Sequence, residues 1–274
     1  MKYFVTGSQG FIARHLIQTL QGDVHSSGKI HSSDVNRILD DVDPDIIFHL
    51  GAELKNNENM FESNVLLTMK ILEYCARKKP KLLVLFGSSS EYGYSTHIMS
   101  EGDLPNPQTV YAGTKAATAM LAKVWSKEYD IPILYVRPFT IYGEDEKPTK
   151  LSQILFNTWK NNDTLCLTEG VHDYMYIDDF IDILLRVVSL HTNGFDIINI
   201  GSGIETTNFQ FVKEFEKATG HIFHIRLKEG FRETEVWRAD VTKLKTKYNI
   251  SVNSDVSRDI KRMVAKYFNG TSTS

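Results

Sequence analysis

The sequence predicts an α/β fold built on a doubly wound parallel sheet, and three observations carry that expectation. Short apolar runs of strand character alternate with longer amphipathic stretches along most of the chain. A turn with two glycines, Val5-Thr6-Gly7-Ser8-Gln9-Gly10-Phe11-Ile12-Ala13-Arg14, follows the first of these runs and opens a helix. Tyr111 and Lys115 then stand four apart at the start of a later helix.

The strand runs are Lys2 to Thr6, Ile46 to Leu50, Leu82 to Phe86, Ile133 to Val136 and Ile197 to Ile200. The helical stretches between them are Phe11–Gln21, Ser33–Asp40, Phe61–Arg77, Tyr111–Glu128 and Asp178–Ser189. Asp178 sits where a carboxylate suits a helix N-terminus. Such alternation implies a parallel sheet with helices on both faces. Between Gly22 and the second helix, a second strand has only Asp23-Val24-His25-Ser26 to occupy, and no acidic residue closes it. The chain is expected to end in a flexible polar tail, 269–274.

The chain has 274 residues, 42% hydrophobic and 24% charged, enough for one large domain with a smaller appendage. A net charge of −3 excludes a general nucleic-acid or membrane-surface binder. No apolar run approaches the roughly 20 residues of a membrane helix, and Met1 leads straight into a strand without a signal peptide. Cys75 and Cys166, far apart in apolar stretches, suit neither a zinc site nor a disulfide framework. The expectation is a cytoplasmic protein without a metal.

In the glycine-rich turn, Gly7 permits the tight bend, Gly10 lets the backbone approach a pyrophosphate, and Ala13 lets the helix pack on the sheet. Exposed amides at the helix start would face the phosphates, so this turn predicts Rossmann-type dinucleotide binding. Residues four apart share a helix face, so Tyr111 and Lys115 point the same way. A nearby ammonium would lower the phenol pKa, as carbonyl–alcohol chemistry requires. Upstream, Gly87-Ser88-Ser89-Ser90-Glu91-Tyr92-Gly93 follows a strand and brings hydroxyls to the ligand-binding edge of the sheet.

Taken together, these blocks resemble the extended short-chain dehydrogenase/reductase family, also described as the NAD-dependent epimerase/dehydratase family. The first turn resembles T-G-x-x-G-F-I-G, and His49-Leu50-Gly51-Ala52 resembles H-x-A-A. Asn64-Val65 matches the N-V that begins a central helix, and Tyr111/Lys115 match Y-x-x-x-K. Val136-Arg137-Pro138-Phe139-Thr140-Ile141-Tyr142-Gly143 resembles R-P-x-N-x-Y-G, and His172 to Asp179 resembles R-D-F-x-Y-V-D-D. Asn199 to Gly203 and Ala239 to Lys243 complete a series that spans the chain.

The resemblance implies a Rossmann-type domain over residues 1–142 and about 176–201. A smaller substrate-binding lobe would come from about 143–175 and 202–268. Ser88, Tyr111 and Lys115 would be catalytic: the serine on the reacting oxygen, the tyrosine as proton donor or acceptor, the lysine on the nicotinamide ribose. Gly7, Gln9, Gly10, Phe11, Ile12, Arg14, Leu50, Gly51, Ala52, Asn64 and Pro138 would bind the cofactor with Tyr111 and Lys115. Ser89, Ser90, Glu91, Thr140, His172 and Arg232 would meet a nucleotide-sugar substrate, with Arg238 an alternative for its diphosphate. A homodimer is implied, paired through the helices around Asn64–Arg77 and Tyr111–Glu128.

Departures from the family pattern narrow the reading. Ser89 and Ser90 follow Ser88 where dehydrating members place acids, although Glu91 falls two places after Ser89 if that serine is the anchor. Neither cysteine matches the acid/base pair of members that epimerise beside the ketone. Thr140 and His172 replace the usual asparagine and arginine. G-S-S-x-E-Y-G most resembles reductases of 4-keto-6-deoxy nucleotide sugars, which makes reduction the leading reading. A 4-epimerase with tightly bound NAD uses the same residues and stays open, as does a protein that only binds the cofactor. Ser26, Ser27, Lys29 or Arg14 could meet a 2′-phosphate, which favours NADP(H) over NAD(H).

Overall fold

The computed structural model describes residues 1–228 and 236–271. The chain opens with β1 (Lys2–Thr6), α1 (Phe11–Thr19), β2 (Asp23–Ser27), α2 (Ser32–Val42) and β3 (Ile46–His49). There follow α3 (Asn57–Met60), a π-helical turn over Phe61–Leu66, α4 (Leu67–Lys78), β4 (Leu82–Phe86) and a 3-10 turn over Ser89–Tyr92. Next come α5 (Val110–Tyr129), β5 (Ile133–Pro138), β6 (Thr140–Tyr142), α6 (Leu151–Asn161), β7 (Leu165–Thr168), β8 (Val171–His172) and β9 (Tyr174–Tyr176). The chain closes with α7 (Ile177–Leu190), β10 (Phe195–Ile200), β11 (Thr206–Thr207), α8 (Asn208–Thr219), β12 (Ile225–Lys228), α9 (Thr242–Tyr248) and α10 (Val256–Thr271).

Six strands form one sheet in the order β10-β5-β4-β3-β1-β2, every neighbouring pair parallel. β3 and β4 are buried along their whole length, which explains their unbroken apolar runs. Successive side chains leave opposite faces. Phe4, Ile47, Leu83, Leu85 and Tyr135 pack with α2, α4 and α5, whereas Val5, Phe48, Val84 and Leu134 pack with α1 and α7. β2 is the exposed edge strand, and its polar sequence suits a strand with a neighbour on one side only. The order reverses at β1, between β2 and β3, and so opens a crevice at the carboxyl ends of the strands.

Two sequence expectations shift. The helix expected over Phe61–Arg77 is interrupted: α3 leads into the π turn, and regular helix resumes only at Leu67. Where a tail is expected from 269, α10 runs on to Thr271, and 272–274 lie outside the described residues. That helix is anchored by buried Ile260, Met263 and Val264 and by ion pairs from Arg258, Arg262 and Lys266 to Asp178 and Asp179 at the start of α7. Among the described residues, no helix is long and apolar enough to cross a membrane.

Beyond the sheet lie three two-stranded ladders, β6–β9, β7–β12 and β8–β11. Asp173, between β8 and β9, ties these segments to the carboxyl end of β10. Its carboxylate accepts from the Ser202 amide, from the Ser202 hydroxyl at 2.7 Å, and from the Gly203 and Ala239 amides at 2.9 Å each. Asp173→Asn would turn an NH2 group towards one pair of these donors. It is expected to lower the unfolding free energy by about 2–3 kcal/mol, measured by urea denaturation.

Candidate active site

The dinucleotide end is built from backbone. Gly7 sits at φ +69°, and a Cβ there would lie 2.7 Å from the Gly51 backbone, so only glycine allows β1 and the segment after β3 to approach this closely. Gly10 caps α1 without any side-chain hydrogen bond, and the first turn holds no acid, so the helix start is suited to an anionic group. A buried relay stiffens the floor: the Gly51 amide donates to Thr6 Oγ1 at 3.0 Å, Thr6 Oγ1 lies 2.7 Å from His49 Nδ1, and His49 Nε2 lies 3.0 Å from Thr68 Oγ1. Thr68 donates to the Asn64 carbonyl, so its oxygen accepts from a neutral His49 carrying its proton on Nε2. Burial, aided by the Lys115 charge, pushes the His49 pKa down to about 3, which keeps the ring neutral.

At the other end Ser88, Tyr111 and Lys115 meet. Ser88 caps the 3-10 turn, its hydroxyl oxygen accepting from the Ser90 amide at 3.2 Å and from the Ser90 hydroxyl at 2.8 Å. Thr109 caps α5 by accepting from the Ala112 amide at 3.1 Å, which fixes Tyr111 in the first turn and Lys115 one turn later. Lys115 is 6% exposed and donates to the Phe86 carbonyl at 2.6 Å. Burial pulls its pKa down to about 8, against the opposing pull of Glu91. The Tyr111 pKa is raised, chiefly by burial; a hydrogen bond with Ser88 opposes this and Glu91 adds to it. The expected lowering of the phenol by the lysine is not what dominates, because the ammonium is turned to the Phe86 carbonyl, 6.0 Å from the Tyr111 ring centre.

One cavity of about 720 Å³ joins the two ends. Of the sequence-predicted residues, Gly7, Gln9, Gly10, Phe11, Ile12, Leu50, Gly51, Ala52, Ser88, Ser89, Ser90, Tyr111, Lys115, Pro138, Thr140 and His172 all line it. Burial and the Lys150 charge push the His172 pKa down to about 4, so it offers a diphosphate no positive charge at neutral pH. Three predicted residues lie elsewhere. Arg14 donates to the Gln9 and Asp145 carbonyls on the surface. Asn64, rotated inward by the π turn and 2% exposed, binds the backbone of Glu53 and the Thr114 hydroxyl, and so pins the segment after β3. Arg232 falls outside the described residues.

The third is Glu91, which is fully buried and unable to touch a substrate. Its Oε1 accepts from the Ser88 amide at 2.8 Å and the Tyr135 hydroxyl at 3.0 Å, and its Oε2 accepts from Arg137 Nε at 3.0 Å and Nη2 at 2.9 Å. Removing one member of such a buried pair costs about 3–5 kcal/mol, because the other charge stays behind without a partner.

The sequence reading missed Glu53, Glu146, Lys147, Lys150 and Trp237, which also line the cavity. The Glu53 carboxylate is occupied by the amides of Leu54, Lys55 and Asn56. Glu146 accepts from the Ser152 hydroxyl at 2.6 Å, and burial pushes its pKa up to about 7. Lys147 and Lys150 sit in a charged, aperiodic segment that reads as a solvated loop; proximity to Gly143 was the only available signal. Among the described residues, no group of three or more histidines, cysteines or acids could hold a metal ion.

Residues 3–201 match the NAD dependent epimerase/dehydratase family. An uncharacterized protein of Methanocaldococcus jannaschii is 30% identical over 65% of this chain, and the chain covers 58% of that relative's length. A probable UDP-glucuronate 4-epimerase of Rhizobium meliloti is 26% identical over 80% of this chain and 83% of its own. The crystal structure of UDP-glucuronic acid 4-epimerase from Bacillus cereus, in complex with UDP-glucuronic acid and NAD, superposes with a TM-score of 0.86. It is 23% identical and covers 99% of this chain and 100% of its own.

With its pKa lowered to about 8 by burial, Lys115 is expected to lose its proton at a lower pH than an ordinary lysine. Its acetylation by a small anhydride, followed by peptide mass spectrometry, is expected to rise with a midpoint near pH 8, against about 10.4 for an ordinary lysine.

Proposed function

The chain belongs to the NAD-dependent epimerase/dehydratase family, and we propose that within it the protein is a 4-epimerase of a UDP-linked hexose or hexuronic acid, working with retained NAD. The observation that carries this reading is the chemistry left at the sugar end of the cavity. Among the described residues that line the cavity, one phenol, Tyr111, stands with the hydroxyls of Ser88, Ser89 and Ser90, while Glu91 is sealed into its pair with Arg137. Tyr111 can move one proton at one sugar oxygen, and Glu146, the carboxyl group in the same lining whose pKa is pushed up to about 7, is held by the Ser152 hydroxyl. Loss of water would need a further carboxyl group beside Ser88, which Glu91 cannot supply. Reduction and 4-epimerisation require the same residues; the names of the Rhizobium relative and the Bacillus enzyme favour epimerisation.

The cavity suits a nicotinamide dinucleotide. The uncapped start of α1 and Gly7, Gly10 and Gly51 would hold the pyrophosphate, and Lys115 and Pro138 would flank the nicotinamide ribose. When bound, the nicotinamide supplies a reversible hydride acceptor for sugar C4. Tyr111 takes the proton from O4 as the alcohol becomes a ketone and returns it when the alcohol re-forms. Ser88 holds that oxygen by a hydrogen bond. Lys115, charged below about pH 8, would keep its ammonium between the Phe86 carbonyl and the ribose. With His172 neutral, Lys147 and Lys150 are the cations placed to meet the diphosphate. Gly28 and Lys29 after β2 line the cavity, but the complex of the Bacillus enzyme contains NAD, and NAD rather than NADP is the cofactor proposed.

The division into a dinucleotide domain (1–142 and about 176–201) and a substrate lobe (about 143–175 and 202–268) belongs to the same proposal. So does a homodimer, in which a second copy would cover Met120 and Val124, 69% and 55% exposed on one face of α5. Sedimentation at micromolar concentration is expected to return twice the chain mass.

Purified protein given UDP-glucuronate or UDP-glucose, with no added coenzyme, is expected to form the C4 epimer, and denaturation to release NAD. Stoichiometric oxidation of NADH or NADPH by a 4-keto sugar nucleotide, without epimer, would establish the reductase instead. Tyr111→Phe is expected to cost about a hundredfold or more in turnover. The wild-type rate should fall as pH rises through about 8, where Lys115 loses its proton.

A further inference from the structure

We propose that Glu91 is a positioning residue of this active site: its buried carboxylate sets the Ser88 turn and lies against the strand end whose Phe86 carbonyl receives the Lys115 ammonium. The proposal deepens the epimerase reading and rests on it for the turnover assay alone.

The geometry places one carboxylate against both halves of the catalytic set. Oε1 accepts from the amide of Ser88 itself, so the turn that aims the Ser88 hydroxyl is held from below. The Tyr135 hydroxyl bridges to the other half, 3.0 Å from Glu91 Oε1 and 2.7 Å from the carbonyl of Lys115. Gly87 makes this approach possible, since a Cβ there would lie 2.3 Å from Glu91 Oε1 and 2.3 Å from the Tyr135 ring. The carboxylate therefore packs on the backbone between Phe86, whose carbonyl receives the Lys115 ammonium, and Ser88.

A charge without solvent around it acts over a longer range than an exposed one. The titratable and charged groups around Glu91 are Arg137 and Tyr135 on β5, Tyr92 in its own turn, and Tyr111 and Lys115 on α5; His49, across the cavity floor from Lys115, is neutral. Arg137 donates from Nε and Nη2 to the Glu91 carboxylate, and its guanidinium lies 4.5 Å from the centre of the Tyr92 ring. Glu91 raises the Lys115 pKa against burial and raises that of Tyr111. Removing its charge lowers both.

Two variants test this. Glu91→Gln removes the charge and leaves Arg137 alone; Glu91→Gln with Arg137→Met removes the whole pair and keeps the proposal testable if the single variant does not fold. The pH dependence of 4-epimerisation is measured for each. Turnover is expected to fall about tenfold to a hundredfold with KM nearly unchanged, and the alkaline limb of the profile to move to lower pH. A folded variant that keeps both the wild-type turnover and the wild-type limb overturns the proposal. If the wild type epimerises no UDP-sugar, the epimerase reading fails and the proposal is read on Tyr111 instead. The ultraviolet titration of its phenol, taken as the difference from the same protein carrying Tyr111→Phe, is expected to move to lower pH in both variants. An unmoved titration overturns the proposal.

Discussion

Strands that run in one direction deliver all their carboxyl ends to one edge of a sheet, and the site depends on that constraint. β1 leads into Gly7, β3 into Leu50 and Gly51, β4 into Gly87 and Ser88, and β5 ends at Pro138, so four strand ends contribute to the wall of one cavity. Helices starting on the same edge, α1 and α5, bring in their N-terminal turns, one with free amides and one with Tyr111. No long loop is needed to gather the catalytic set, since the register of the sheet has already gathered it.

Buried carboxylates hold the two junctions that the sheet cannot. Glu91 joins the end of β4 to β5 and α5, and Asp173 joins the short ladders to β10. Each accepts four hydrogen bonds, which offsets the desolvation of the charge. Neither replacement by an apolar residue nor by an amide would reproduce that pattern of acceptors. The shared device is a carboxylate surrounded by fixed donors, and Glu91 packs beside the strand end whose Phe86 carbonyl receives the Lys115 ammonium.

Much of this was legible in the sequence, for physical reasons. β4 is legible residue for residue because a buried parallel strand is an unbroken apolar run, and β1 because the glycine-rich turn marks where it stops. The cavity residues that were found belong to motifs whose spacing is dictated by backbone geometry, such as Gly7 and Gly10. What escaped depends on which way a side chain turns. A serine-rich turn does not reveal that Glu91 points inward, and a π turn rotates Asn64 away from the cavity in a way helical periodicity cannot register. The ladders are only two to four residues long, too short to show a period, so the cavity wall around Glu146 and Lys150 had no pattern to betray it. Reductase and epimerase share every catalytic residue, and so no arrangement of those residues separates them.

The sheet is completed late. β10 pairs with β5, yet residues 139–194 lie between them and include the β6–β9 ladder and α7. During synthesis the first five strands leave the ribosome with one edge of β5 unpaired, an edge of fully buried residues from Ile133 to Arg137. That exposed edge is a hazard to a nascent chain until β10 arrives. The excursion must therefore fold quickly or be shielded, and a chain cut short before Phe195 would leave β5 as a bare edge of the sheet.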